Sequence, residues 1–259
     1  MSNLPAKKFL AKPWLDKLKQ VCETCYLEHI DLIIDQAGLE EPLYPVLSHI
    51  DPNLEWSSLF KGLPEEGHEA QAPLLIRFSL DKPEQMLWLE KLIEWLAYEP
   101  RLLVLCSPLP FNMLQAFLTS LVEAKWQTYS AILRFYDTRI FPLLIQDILT
   151  TEQQNLFLNL GYAWSWIDRD QQPQYQLGIY HPEVEELSYS TLEFNDQQVD
   201  LLNCISDAER VLMFPQYIDK TQSNEANFLR FYVYAKKAIE EQYYGPLDAY
   251  IAKQAKPAT

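Results

Sequence analysis

Leu133-Arg134-Phe135-Tyr136-Asp137-Thr138-Arg139 places three charged residues in a run that otherwise carries the side chains of a buried core. Ala131 to Tyr136 reads as a core strand, because aliphatic and aromatic side chains suit a pleated, covered surface. Arg134 then falls inside that strand. Asp137 and Arg139 follow where the chain turns into a helical stretch from Arg139 to Leu149. A charge in a buried setting persists only when paired, so the three are expected to satisfy one another or the adjoining backbone. Two readings follow: an ion-paired corner fixing the passage from strand to helix, or a binding or catalytic cluster at a strand end.

Outward from that run, strands and helices alternate. Residues 26–37 hold a first strand centred on Ile30, Leu32, Ile33 and Ile34. The passage from Glu40 to Ala72 carries Pro42, Pro45, Pro52 and Pro64 with Gly62 and Gly67, which predicts loops and short turns. Pro73 to Phe78 is a short apolar strand. Asp81 then reads as a helix cap with Pro83 in the first turn, ahead of a stripe of Leu89, Leu92, Ile93 and Leu96. Leu102 to Cys106 is a continuous apolar strand, and Leu114, Phe117, Leu118 and Leu121 mark a helix running towards Trp126. Thr150 to Gln154 opens a further short helix. Tyr162–Asp168 and Tyr175–Tyr180 read as a hairpin across a turn at 168–173.

After His181 and Pro182 the pattern changes. Asn195 to Gln198 resembles a capped helix start, residues 207–214 a second helical piece, and Ser223 to Tyr243 the longest helix. Strand character there is limited to Leu187–Phe194. The predicted fold is α/β: an N-terminal lobe, residues 1–182, with a mixed, partly parallel sheet flanked by helices, and a smaller, mainly α-helical C-terminal lobe, residues 183–259.

Charge narrows the classes of function. The 36 Asp and Glu residues against 21 Lys and Arg give a formal charge of −15, which repels phosphate backbones. Lys7, Lys8 and Lys12 are too few to offset it, so nucleic acid is not an expected partner. Phe9, Leu10 and Ala11 are cut short by Lys12 and Pro13, which predicts no secretory leader. No window approaches the roughly 18 apolar residues of a spanning helix, so a cytoplasmic protein without stable membrane insertion is expected.

Catalytic and cofactor patterns are sparse. Cys22 and Cys25 have redox-motif spacing, but helix-like spacing from Trp14 to Val21 precedes them, whereas a thiol–disulfide site sits at a helix N-terminus after a strand. His29 is the one nearby candidate for a zinc ligand with them, short of a full set. Cys106 ends a strand without the glycines of a nucleophile elbow, and reads as a buried structural thiol. His29, His49, His68 and His181 form no paired motif, and six glycines write no phosphate loop. No metal or cofactor is expected. The seven Trp and fifteen Tyr residues exceed what a core of this size needs, and such side chains anchor interfaces. Trp164 and Trp166 face one side of their strand, and with Phe231, Tyr232 and Tyr234 they are expected to border an interlobe cleft.

In order along the chain, Pro73–Phe78, Leu102–Ser107, the helix to Trp126, Leu133–Ile140, Leu143–Leu149 and Thr151-Glu152-Gln153 resemble the type VI secretion effector adaptors, the Tap or TEC chaperones, whose shared domain was formerly of unknown function. The pattern of that family reads arginine, phenylalanine, tyrosine, aspartate, proline, arginine. Arg134, Phe135, Tyr136, Asp137 and Arg139 match it, and Thr138 replaces the proline. The resemblance covers about residues 26–180. It implies a non-enzymatic protein that binds a toxic effector through the effector's N-terminal region and loads it onto the VgrG spike. On the residues alone, two alternatives stay open: a small α/β enzyme binding an anionic substrate near Arg134, Asp137 and Arg139, or an acidic immunity protein.

Overall fold

The computed structural model describes residues 11–181 and 191–254. Its elements begin with α1 (Ala11–Thr24), β1 (His29–Asp35), α2 (Tyr44–Ile50), β2 (Glu55–Ser58), β3 (Pro73–Ser79), α3 (Pro83–Leu96) and β4 (Leu102–Cys106). Next come α4 (Phe111–Val122), β5 (Glu123–Trp126), β6 (Tyr129–Ile132), α5 (Phe141–Leu143), α6 (Thr151–Leu158), β7 (Ala163–Ile167) and β8 (Pro173–Leu177). Finally β9 (Leu192–Phe194) precedes α7 (Asp196–Leu212), α8 (Asn224–Glu240) and α9 (Leu247–Gln254).

Six strands form the main sheet in the order β2-β3-β1-β4-β7-β8, with every neighbouring pair antiparallel. A second sheet, β6-β5-β9, pairs β5 antiparallel with β6 and parallel with β9. The fold is therefore mixed α/β, and among the described residues the small sheet carries the parallel pairing. The strand–helix–strand rhythm of β3, α3 and β4 has a definite cause. Both strands run antiparallel to β1, hence parallel to each other, and β1 lies between them. The helix crosses over the strand that separates its neighbours.

β1 sets the two faces of the sheet. Ile30, Leu32 and Ile34 join one core with Trp14 and Leu18 of α1 and the α3 stripe Leu89, Leu92, Ile93 and Leu96. Ile33, with Leu75, Leu105, Trp164 and Trp166, joins the other, which α4, α6, α7, α8 and α9 cover. Fully burying each such aliphatic side chain contributes about 1.5–3 kcal/mol. The helices after residue 191 thus share a single hydrophobic cluster with the sheet. The lobe boundary expected at 182/183, the residues before Ala11 and the first part of Leu187–Phe194 lie outside the described residues.

Three local expectations are corrected. Ala131 to Tyr136 does not form a core strand: β6 ends at Ile132 on the surface, and Leu133 to Ile140 run as turns whose Phe135 and Tyr136 plug the core. Aromatic burial there is achieved by a loop. Lys82, rather than Asp81, holds the cap position of α3, and Asp81 instead accepts a hydrogen bond from Ser79 Oγ at 2.6 Å. Residues 207–214 are no separate piece, since α7 runs unbroken from a capping box of Asn195 and Gln198.

Where β7 and β8 meet the end of α6, two glycines allow backbones to touch. A Cβ on Gly178 would lie 1.8 Å from the carbonyl oxygen of Gly161, and one on Gly161 would lie 2.5 Å from that of Cys106. Backbone cannot yield as a flexible side chain does. Gly178→Ala is expected to destabilise the fold by about 1–3 kcal/mol, as overpacking does, read as a lowered urea midpoint.

Candidate functional site

The corner after β6 gathers the charges singled out in the sequence. Asp137 and Arg139 satisfy each other. Arg139 Nε and Nη2 donate to the two carboxylate oxygens at 3.0 and 2.6 Å, and the Arg139 amide donates to Oδ1 at 3.0 Å. That hydrogen bonding raises the Arg139 pKa above its ordinary value, against the opposing effect of burial. Arg134 reaches a partner outside the motif, forming a short hydrogen-bonded ion pair with Asp35 at the end of β1. Burial lowers the Arg134 pKa, but the Asp35 carboxylate outweighs it and the net shift is upward. Tyr136, beside both, has its hydroxyl pKa pushed up by burial and then by the Asp35 charge.

Phe135 ties the corner into an aromatic cluster. It meets Tyr136 and Phe157 edge-on at 5.5 and 5.4 Å, and Phe141 extends the cluster to Trp164 and Trp166 at 5.0 and 5.4 Å. Trp164 is fully buried, its indole N–H donating to the Phe157 carbonyl at 3.2 Å. Phe231 and Tyr232 are likewise core residues. The Tyr232 hydroxyl donates to Asp147 at 2.7 Å, and Tyr234 is half-buried. Of the five aromatic residues expected at a cleft, Trp166 lines a groove beside the corner.

Two grooves flank Arg139 and Arg169. The first, about 240 Å³, is walled by Tyr98, Glu99, Ile167, Gln171 and Leu212. The second, about 190 Å³, is walled by Leu143, Trp166, Gln174, Phe228 and Leu229. Both share Arg139, Asp168 and Arg169. Arg169, in the turn between β7 and β8, was not singled out from the sequence, yet it holds this region together. Its guanidinium binds Glu209 of α7 at 2.8 Å through Nε and both oxygens of Glu225 of α8 at 3.0 Å. It also donates to the Arg139 carbonyl at 3.2 Å and lies 3.4 Å over the Phe228 ring. Asp170 accepts from the amides of Asn224 and Glu225, capping α8.

The opposite end of β1 holds a second buried carboxylate with an arginine partner. Arg77 grips Asp31 with two hydrogen bonds of 2.7 and 2.9 Å and donates to the Leu109 carbonyl at 3.0 Å. His29 lies 3.7 Å from the same carboxylate. Burial pushes Asp31 up to about 6 even though Arg77 pulls the other way. The Cys22 and Cys106 sulfurs are in hydrogen-bond contact at 3.7 Å, and this contact with burial pushes the Cys106 thiol up, away from nucleophilic character. Among the described residues, no group of three His, Cys, Asp or Glu side chains is arranged to hold a metal ion, and no helix is long and apolar enough to cross a membrane.

The fold and the corner define a mixed α/β chain organised around ion-paired buried carboxylates. Residues 32–156 match the family model of a domain of unknown function, DUF4123. The matched segment contains Asp35, Arg77 and the Arg134–Arg139 corner, and it ends before Arg169 and the helical layer that Arg169 binds. No curated protein and no solved structure matches the chain.

Two outcomes are expected from the buried carboxylates. Arg134→Met leaves Asp35 buried without its cation, whereas combining it with Asp35→Asn removes the stranded charge. The double variant should therefore be more stable than Arg134→Met alone, by about 1–3 kcal/mol in a double-mutant cycle. Asp31 has a folded pKa above its unfolded value, so between about pH 4 and 6 the folded state holds a proton that the unfolded chain has released. Its contribution to stability is fullest at the acid end and is lost as pH rises through about 6. The melting temperature of the protein minus that of Asp31→Asn should fall across that window. A flat difference would rule the shift out.

Proposed function

We propose that this chain is an adaptor that holds a type VI secretion effector and loads it onto the VgrG spike. The observation that carries the reading is the match of residues 32–156 to DUF4123, which covers the ordered motifs that resemble effector adaptors from β3 to the Arg134–Arg139 corner. The electrostatics support it as well. Arg134 and Arg139 are each committed to a carboxylate, Asp35 and Asp137, so the corner serves the scaffold and is poorly placed to receive an anionic substrate. The family marker, on this reading, supports a binding surface without touching the cargo.

Effector contact then falls on the grooves beside the corner. Trp166 takes part directly, whereas Trp164, Phe231 and Tyr232 act from the core and Tyr234 from its margin. A protein of charge −15 suits cargo that presents basic or apolar segments, and its producing compartment would be the cytoplasm.

The test is co-purification with the product of a toxin gene beside its own and with fragments of the neighbouring spike protein. Capture of both is expected, and Leu229→Glu, in the wall of the second groove, should weaken effector capture by about tenfold without lowering the melting temperature. Protection of a sensitive cell by this protein alone, without capture of spike, would replace the adaptor reading with that of an immunity protein.

A further inference from the structure

The first groove contains an acceptor with nothing to accept. The side-chain oxygen Oε1 of Gln171 is buried and has no hydrogen-bond partner. Leaving such a group unmade is costly, and a site built to bind a donor tolerates that cost in its empty state. Gln171 lines the groove from the β7–β8 turn, where its backbone is held in the left-handed region at φ +61°.

A second observation concerns charge. Arg139 and Arg169, which line the groove, are already neutralised by Asp137 and by Glu209 with Glu225. Asp168 lines the same groove and pairs with no cation among the described residues. Its oxygens accept from the amides of Asp170 and Gln172 and from the Gln174 side chain. The wall therefore offers a carboxylate and an amide oxygen that call for positive donors. Beside them, Tyr98, Ile167 and Leu212 form an apolar face suited to an aliphatic stem.

We propose that this groove receives an arginine or lysine side chain from a bound polypeptide, its stem against Tyr98 and Leu212 and its cationic head donating to Gln171 Oε1 and Asp168. The assignment rests on the adaptor reading for the source of that polypeptide, a basic segment of the effector. It stands on the groove's own chemistry for the kind of side chain taken. The overall acidity of the chain agrees with the same sign of partner.

The experiment titrates the isotope-labelled full chain with a capped tripeptide of leucine, arginine and leucine, followed by amide shifts. Shifts confined to residues 97–99, 168–171 and 212 are expected, and the same peptide with glutamate in the centre should give none. Asp168→Asn should weaken binding about tenfold. Because Asp168 also shapes the turn, a second variant carries the test independently. Gln171→Met should raise the melting temperature by about 2–4 °C, since it removes a stranded acceptor, and yet weaken the peptide. Equal binding of the glutamate peptide, or unchanged affinity in Gln171→Met, overturns the proposal. Spermidine binding as tightly as the peptide assigns the groove to a free polycation and overturns it too. Effector capture undiminished in Gln171→Met sinks this site and leaves the adaptor reading standing. Absence of capture by the unaltered protein, with the peptide still bound, does the reverse.

Discussion

A central strand covered on both faces cannot carry bare carboxylates, and β1 carries two on the same face, Asp31 and Asp35. Desolvating an unpaired carboxylate costs several kcal/mol, a large share of the stability of a whole domain. Each is answered by an arginine from another part of the chain: Arg77 from the adjacent β3, and Arg134 from the turn after β6. Four residues of extended strand separate the two pairs by about 13 Å. The arginines thus pin the neighbouring strand at one end of β1 and the connection to the helical layer at the other. The placement of Phe135, Phe141 and the tryptophans of β7 follows from the second pin.

Periodicity carried most of the architecture. β3, β4, α3, α4 and α8 form where apolar spacing and flanking prolines or capping residues place them, and α7 starts at its expected cap, because each signal is local and reinforced by its neighbours. Topology was less accessible. A strand–helix–strand rhythm is compatible with adjacent parallel strands or with strands that straddle a third, and only the insertion of β1 between β3 and β4 decides between them. β2 lay hidden in a proline-rich passage because a four-residue edge strand needs little apolar character of its own.

The site was half legible. Arg134, Asp137 and Arg139 announced a need for partners, and the Asp137–Arg139 pair is local enough to follow from sequence. Asp35 is 99 residues from Arg134, and nothing short of the fold joins them. One signal was present: Asp31 and Asp35 interrupt an isoleucine-rich strand on the same side, a pattern that demands two cations. Trp164 and Trp166 alternate as expected, but alternation only says which face they share, and that face is the core. Arg169 sat in a polar turn where a charged residue draws no notice, and its role emerges only when α7 and α8 close over it.

Asp170 gives that closure a further meaning. The first two amides of α8 are satisfied by this residue, 54 and 55 positions earlier in the chain, and the next by Ser223. The 17-residue helix α8 therefore begins on a foundation laid by the hairpin. Its orientation is inherited from the β7–β8 turn, and turn and helical layer form one heritable unit. A relative could change the outer faces of α7 and α8 freely, whereas swapping that layer without the turn would leave a helix start with no acceptor and an arginine with no carboxylate.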